Sequence, residues 1–355
     1  EMVKGVCLVH SSTLIQLEGF NVLLYRNIET LKQSQVTLLS GGGSGHEPAH
    51  AGFIGDGMLS GAILGGVFAS PSISSILAAI RAACGPSGLL LIVKNYTGDR
   101  INFGQAALLA QAEGFKVEMC VVADDCALAE GKGITGGRGV AGTVLVHKAA
   151  GAAAASGLPL AEVLAAAVGV AESVKTLGVA MTTCTVPGTA PSGRLDDKTI
   201  EIGLGIHGEP GMAQSAWKPS KQLVSEMLTV IVPRLPTAAP LPTVSKKVCL
   251  LVNNLGGTPA MELYVVAQDA AAQLRDDFGL EASRVIVGPV MTALEMQGVS
   301  LSVLPLDDPL LAARLDAHTN APAWPTVAHL QSGGAVQTVK PAAVPPPEAS
   351  AGSAG

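Results

Sequence analysis

Short apolar segments alternate with helical patterns along the chain, and this alternation restricts its fold more than any other feature. VTLLS at 36–40, LLLIV at 89–93 and VEMCVV at 117–122 each give way to glycine-rich or polar turns and then to helical patterns. Apolar strands that alternate with helices are typical of a largely parallel sheet with helices on its faces. The pattern therefore predicts an α/β fold.

A second alternating region follows residue 180, in KVCLLVNN from Lys247, RVIVGPV from Arg284 and LSVLPL from Leu301. We therefore predict two α/β modules, at residues 1–180 and 181–333, with mostly parallel or mixed sheets flanked by helices. Helices are predicted at 73–83, 104–113, 142–155 and 160–177, and from Glu262 onward.

Two proline-rich segments predict connections rather than packed elements. Residues 236–245, PTAAPLPTVS, predict a connector. Residues 334–355 lose hydrophobic periodicity and end in PPPEASAGSAG, which is the composition of a linker. We therefore expect a linker-like tail after the second module.

Composition and charge exclude several classes of protein. Hydrophobic residues make up 48% of the chain, which is enough for a packed core, and the net charge of −6 comes without a basic stripe. A nucleic-acid binder would carry such a stripe, so we expect a small-molecule ligand. No uninterrupted apolar stretch reaches about 18 residues, which argues against a membrane span. The six cysteines are widely spaced without a C-x-x-C pair, which predicts reduced thiols in a cytoplasmic protein.

The segment SGGGSGHEPAHAG, from Ser40, directly follows the VTLLS strand. Its three consecutive glycines, Ser44 and Gly45 let the backbone approach a ligand closely and direct N–H groups at ligand oxygens. His46 places an imidazole in the same space. The alternative is a tight turn packed against the start of a helix.

Three motifs in or near this segment resemble known sites and are rejected. His46 to His50 match the zinc pattern H-E-x-x-H, but Pro48 and the preceding glycines prevent the continuous helix that this site needs. We therefore predict no metal site and a structural role for His50. No Gly-Lys-Ser/Thr follows the glycines, which excludes a P-loop, and His46 occupies the final glycine position of a nucleophile elbow. The G-x-G-x-x-G match at 131–136 begins too far after a strand to predict a dinucleotide site.

A polar turn follows the LLLIV strand in the segment LLLIVKNYTGDRINF. Ligands of open α/β sheets bind at the carboxyl ends of strands, where Lys94 and Asp99 lie. Asp99 is a candidate general base or acceptor for a substrate hydroxyl, and Lys94 is a candidate donor. The alternatives for Asp99 are a surface ion pair with Arg100 or an Asx turn.

His207 lies between Gly205 and Gly208 in IEIGLGIHGEPG. Flanking glycines leave its imidazole accessible, and a neutral imidazole nitrogen can attack a carbonyl carbon. The alternative is a structural or surface histidine. The same structural interpretation applies to the remaining histidines, which are His10, His147, His318 and His329.

Taken in order, these strings resemble the K domain of the dihydroxyacetone (glycerone) kinase family. The resemblance rests on GSGHEPAHAG, VKNYTGDR and GLGIHGEPG, with VNNLGG and ALEMQGVSL further along the chain, and it covers residues 5–330. It implies that the substrate carbonyl forms a covalent hemiaminal with His207, that His46 is the acid/base residue and that Asp99 orients or deprotonates the hydroxyl to be phosphorylated. It also implies that Gly43, Ser44, Gly45 and Lys94 hold substrate hydroxyls.

The resemblance further implies partners that the K domain itself does not supply. ATP and Mg²⁺ would be held by a separate L domain or subunit, and the chain would be the K portion of a fused single-chain kinase. The implied substrates are dihydroxyacetone or glyceraldehyde, and the implied assembly is a homodimer. An alternative is a catalytically silent, ketose-binding co-activator, which would need the covalent histidine but not the phosphoryl-transfer residues.

Overall fold

Two β-sheets covered by helices make up residues 1–127, 136–196, 198–236 and 246–330, which are the residues described in this computed structural model. The G-x-G-x-x-G match at 131–136 and the connector at 236–245 lie partly outside the described residues, and the linker-like tail at 334–355 lies wholly outside them. The helices of the described residues are α1 Met2–Val9, α2 Ile28–Ser34, α3 Ile73–Ala83, α4 Thr97–Ala112, α5 Thr143–Ala155, α6 Leu160–Ser173, α7 Ser220–Ile231, α8 Ala260–Phe278 and α9 Pro309–Asp316.

The first sheet is mixed, with a parallel half that carries the glycine segment. Its strands are β1 Leu14–Gln16, β2 Val22–Tyr25, β3 Thr37–Ser44, β4 Gly61–Val67, β5 Leu89–Lys94 and β6 Val117–Val122. They are ordered β1-β2-β4-β3-β5-β6. β3 is parallel to both β4 and β5, and β5 is parallel to β6, whereas β1 and β2 are antiparallel. The carboxyl ends of β3 and β5 therefore lie side by side, as the sequence predicts.

The second sheet is mostly antiparallel. Its strands are β7 Lys175–Ala180, β8 Thr199–Ile202, β9 Ala213–Ala216, β10 Lys246–Asn254, β11 Leu280–Gly288, β12 Gly298–Pro305 and β13 Ala328–His329. They are ordered β13-β11-β10-β12-β7-β8-β9, and within this sheet β10 and β11 are the parallel pair. Both sheets are mixed, so the predicted α/β class with mixed sheets is confirmed.

The end of the predicted helix at 160–177 is wrong. The helix ends at Ser173, and β7 begins at Lys175. β7 forms six antiparallel residue pairs with β12, and this tertiary pairing overrides the helical preference of the preceding alanine-rich sequence. The module boundary at residue 180 assigns β7 to the first module, although it pairs within the second sheet. The two-module division stays a prediction, and strand pairing favours a boundary before β7.

α5 packs on the first sheet and connects it to the second. Every residue of this helix from Thr143 to Ala154 is buried. A side chain at Gly151 would place its Cβ 2.4 Å from Met58 Cα, so the small residues of α5 allow close helix packing. The same apolar core includes Leu251 and Ile286 of the second sheet. The two sheets therefore share one core, which fixes the glycine segment relative to the second sheet.

None of the described helices is long and apolar enough to cross a membrane. All six cysteines are free thiols, and four of them are buried.

Candidate active site

His46, from the first sheet, and His207, from the second, are in direct contact. His46 follows β3, and His207 lies in the turn between β8 and β9. Their Nε2 atoms are 3.0 Å apart, although 161 positions separate the two residues in the sequence. His46 is buried, with 1% of its surface exposed, whereas His207 is half-buried. The fold thus brings together the two histidines that the sequence predicts.

The Nδ1 atoms of both rings are anchored to acceptors. His46 Nδ1 lies 2.8 Å from the carbonyl oxygen of Thr292, and His207 Nδ1 lies 2.8 Å from Oε1 of Glu209. A carbonyl oxygen only accepts hydrogen bonds, so His46 Nδ1 carries a proton, and the Glu209 carboxylate favours a proton on His207 Nδ1. The hydrogen bond between the Nε2 atoms then requires one shared proton. Release of the shared contact leaves one Nε2 as a donor and the other with a free lone pair.

The surroundings of the pair favour a neutral His46 and an ionised Glu209. Burial, the Lys94 ammonium and His207 together lower the pKa of His46 well below its usual value. Burial acts to raise the pKa of Glu209, but hydrogen bonds and charge from His207 outweigh it and lower that pKa to about 2. Glu209 is therefore a carboxylate that can stabilise positive charge on His207.

Glycines on both sides of His207 let Glu209 fold back onto it. Glu209 also accepts the backbone N–H of His207 at 2.9 Å. A side chain at Gly205 would place its Cβ 2.0 Å from Oε2 of Glu209, and Gly208 has a φ of +83°. Other residues would collide at the first position and be strained at the second. Arg194 donates to the carbonyl of Gly208 at 2.7 Å and so holds the turn from outside.

Asp99 and Lys94 lie together beside the glycine segment. Lys94 ends β5, and Asp99 is in the first turn of α4, which begins seven residues before the predicted helix start at Gly104. Both side chains are buried, with 1% and 4% of their surfaces exposed. A side chain at Gly42 would place its Cβ 3.5 Å from Lys94 Nζ and 3.6 Å from Oδ2 of Asp99. A side chain at Gly42 would therefore occupy the space beside both groups in ordinary contact with them.

The Asp99 carboxyl is a buried acceptor with unused capacity. Burial raises its pKa, although Lys94 and a hydrogen bond from Ser70 act in the opposite direction. Its Oδ1 atom accepts no hydrogen bond from any described residue. Burial likewise lowers the pKa of Lys94, against the charge of Asp99. A raised pKa makes Asp99 a stronger base than an exposed aspartate.

The predicted binding residues Gly43, Ser44 and Gly45 adjoin His46, but two of their polar groups already have protein partners. The Ser44 hydroxyl donates to the carbonyl of Gly65 at 2.7 Å, and the Gly45 N–H donates to Glu47 Oε2 at 2.9 Å. Gly43 and Ser44 are the last two residues of β3, whereas the sequence predicts a loop after the strand. Their contribution to ligand binding stays a prediction.

Two aromatic residues to which the sequence analysis assigns no role, Phe68 and Tyr96, contact the histidine pair. The Phe68 ring stacks on His46, with ring centres 5.0 Å apart and planes 19° apart, and it meets His207 at a steep angle of 77°. Tyr96 meets His207 edge-on at 4.7 Å. Glu209 could have been found from the sequence, because an imidazole needs a nearby acceptor. Phe68 and Thr292 carry no such signal.

His50, which the sequence predicts to be structural, lies in a second and fully enclosed histidine pair. His50 Nδ1 is 3.0 Å from Nε2 of His147, and both side chains are buried.

Within the described residues, no group of three His, Cys, Asp or Glu side chains is arranged to hold a metal ion. Mg²⁺ is usually held by carboxylates together with phosphates. The Lys94 ammonium beside Asp99 opposes a cation at this position, so the residues around Asp99 do not fit a Mg²⁺–nucleotide site.

A family model described as the Dak1 domain matches residues 4–323 of the chain. This chain belongs to the Dak1 family. A putative 3,4-dihydroxy-2-butanone kinase of Solanum lycopersicum is 52% identical to it, over 98% of this chain and 57% of the relative. The dihydroxyacetone-binding subunit DhaK of a PTS-dependent dihydroxyacetone kinase of Listeria innocua is 46% identical, over 91% of this chain and 96% of the subunit.

Two solved structures share the Dak1 fold. The dihydroxyacetone kinase of C. freundii in complex with AMP-PNP and Mg²⁺ has a TM-score of 0.87 and 36% identity, covering 97% of this chain and 61% of that one. The dihydroxyacetone kinase operon co-activator Dha-DhaQ has a TM-score of 0.83 and 34% identity, covering 91% and 97% of the two chains. These matches confirm the resemblance drawn from the motifs. The chain spans 55–59% of the length of the first five curated relatives that it matches.

Proposed function

We propose that this chain is the substrate-binding K domain of a dihydroxyacetone (glycerone) kinase and binds its triose as a covalent hemiaminal on His207. The observation that carries the proposal is the 3.0 Å contact between the Nε2 atoms of His46 and His207, with both Nδ1 atoms anchored. Addition to a carbonyl needs a nucleophile beside a proton donor, and this pair supplies both. The two relatives, a putative 3,4-dihydroxy-2-butanone kinase and a dihydroxyacetone-binding subunit, support a small hydroxyketone as the substrate.

In the proposed addition, the lone pair of His207 Nε2 forms a bond to the carbonyl carbon as the π bond of C=O breaks. As this lone pair is released, His46 Nε2 takes up the shared proton and passes it to the carbonyl oxygen, which becomes a hydroxyl; the lowered pKa of His46 favours giving the proton up. The positive charge thus moves from the shared proton to the imidazole ring of His207, where the Glu209 carboxylate stabilises it. Polyols such as glycerol have no carbonyl and are rejected, whereas dihydroxyacetone and glyceraldehyde are accepted.

Bond formation at the carbonyl carbon leaves a terminal hydroxyl of the triose free for phosphorylation. In this proposal the Oδ1 atom of Asp99 accepts the hydroxyl proton, since the structure gives it no other hydrogen bond among the described residues. The Lys94 ammonium donates to a substrate hydroxyl, and Gly43, Ser44 and Gly45 complete the binding site.

The phosphate donor is proposed to be ATP with Mg²⁺, held by an L domain or subunit in cis or in trans. The relatives' greater length and the complex of the C. freundii kinase with AMP-PNP and Mg²⁺ support this partner. The chain is further proposed to be the K portion of a fused kinase, to form a homodimer and to act in the cytoplasm.

A regulatory ketose-binding role is a second candidate, because the co-activator Dha-DhaQ shares the fold at 34% identity. A sensor needs a residue that captures the ketose but no base for phosphoryl transfer. The buried Asp99 beside Lys94 favours the kinase, since an unused buried carboxylate would be a cost without benefit in a sensor.

Turnover assays with and without an L-type subunit test whether phosphorylation of the triose requires that subunit. With dihydroxyacetone, ATP and Mg²⁺, we expect little or no turnover by this chain alone and clear turnover after the subunit is added, because phosphoryl transfer depends on groups that neutralise phosphate charge. Robust turnover by the chain alone would contradict the proposed need for a partner. Triose binding without turnover in the presence of several L-type subunits would favour the regulator.

A further inference from the structure

Phe68 contacts both site histidines, yet the addition described above gives it no part. Its ring stacks on His46 with centres 5.0 Å apart and meets His207 at the same distance. We propose that Phe68 is a positioning residue, whose ring holds the His46 imidazole in the plane in which Nε2 faces the carbonyl to be captured. The inference rests on the proposed covalent capture by His207.

The His46 ring needs a further restraint once the incoming carbonyl breaks its Nε2 contact with His207, because one hydrogen bond then remains on the ring. The bond from Nδ1 to the Thr292 carbonyl leaves the ring able to tilt through small changes of its side-chain torsions. A ring stacked at 19° removes this freedom, because turning the imidazole would drive its edge into the phenyl face. The His207 ring is contacted by Glu209 at Nδ1 and edge-on by Tyr96, so His207 does not depend on Phe68 in the same way.

The backbone around Phe68 is built to keep the ring in this place. Phe68 has a φ of +53°, in the left-handed region that residues other than glycine seldom adopt. Its N–H donates to the carbonyl of Ser44 at 2.9 Å, which ties it to the end of β3. Strained backbone of this kind is typically kept where function needs it.

The glycines on either side of Ser44 make room for Phe68. A side chain at Gly43 would place its Cβ 2.8 Å from Phe68 Cα, and one at Gly45 would place it 2.7 Å from Cε1 of the phenyl ring. Real Cβ atoms do not approach other atoms so closely, so either substitution would displace Phe68. The glycine segment therefore seats the aromatic ring as well as directing its backbone at a ligand.

The test compares Phe68→Leu with Phe103→Leu. Phe103 is a buried phenylalanine of α4 that packs near Gly41 and makes no ring contact with either histidine. Two quantities are measured: the rate of adduct formation with dihydroxyacetone carrying ¹³C at its carbonyl, and the ¹⁵N-NMR signals of the histidine Nε2 atoms without ligand. Phe68→Leu is expected to slow the adduct by about 100-fold, as a misplacement of about 1 Å would. It is also expected to abolish the ¹⁵N-NMR signature of the proton shared by the two Nε2 atoms. Phe103→Leu is expected to leave the adduct rate and the Nε2 signals unchanged.

The outcomes separate this inference from the proposed function. If the wild-type chain forms no adduct, the proposed capture fails and the NMR signal alone decides the positioning role. A wild-type adduct rate in Phe68→Leu overturns the inference, and so does a slower adduct with an unchanged Nε2 signal. If Phe68→Leu does not fold, Phe68→Met, which keeps an apolar side chain without a ring, is measured with the same expectations.

Discussion

Asp99→Asn is expected to reduce phosphorylation by about 10²- to 10⁴-fold while leaving triose capture intact. Asparagine keeps the shape of the side chain but cannot accept the hydroxyl proton, and the Ser70 hydroxyl can still donate to its amide oxygen. Capture depends on His46 and His207 and does not require the carboxylate. The measurements are turnover with an added L-type subunit and, separately, adduct formation without it.

Asp276→Asn is a matched control for this substitution, because Asp276 is an exposed residue of α8 that pairs with its neighbour Arg275. It should change neither measurement. An Asp99→Asn protein with wild-type turnover would remove Asp99 from the transfer step. Equal losses of capture and turnover would instead indicate that Asp99 acts in binding.

Glu209→Gln is expected to lower the occupancy of the triose adduct by about 10- to 100-fold at a fixed triose concentration. The carboxylate stabilises the positive charge that His207 gains in the addition, and a hydrogen bond to a charged group contributes about 1.5–3 kcal/mol. ¹³C-NMR with carbonyl-labelled dihydroxyacetone measures the occupancy directly, because the labelled carbon changes from planar to tetrahedral on capture.

The pKa of Glu209 also predicts how the adduct responds to acid. Hydrogen bonds and charge from His207 overcome the effect of burial and lower this pKa to about 2, so the carboxylate stays ionised in mildly acidic solution. The stabilisation that the carboxylate gives the adduct is fully present at pH values above the ordinary pKa of a glutamate, and it is lost as the pH falls through the lowered pKa.

Glu226→Gln is the control for Glu209→Gln, because it breaks a surface ion pair with Lys218 and should leave the adduct occupancy unchanged. Wild-type occupancy in Glu209→Gln would contradict the role of Glu209.

Much of the first sheet was predictable because its signals are local. The apolar run at 117–122 becomes β6 with the same bounds, and the helix at 73–83 becomes α3, which Ser72 caps by accepting the N–H of Ser75. The end of α6 was not predictable from local sequence. Alanine-rich residues up to Leu177 favour a helix, and the partner that turns residues 175–180 into a strand is β12, more than a hundred positions away.

The residues of the site also fall into those that local sequence predicts and those that only distant contacts determine. Lys94 ends a strand, and His46 and Asp99 follow strands, whose carboxyl ends meet, so sequence reasoning finds all three. Thr292 cannot be found in this way, because its contact with His46 joins residues 246 positions apart and uses a backbone carbonyl that any residue could supply. Phe68 is equally hidden, since its place on His46 depends on a left-handed backbone and on two glycines at the end of β3 and just after it.

Covalent capture on His207 is the central claim, and intact mass measurement tests it most directly. The wild-type chain, His207→Ala and the exposed-histidine control His329→Ala are each incubated with dihydroxyacetone and weighed under non-denaturing conditions. The account predicts a gain of one triose in the wild type and in His329→Ala, and none in His207→Ala. No gain in the wild type, or an equal gain in all three proteins, would contradict it.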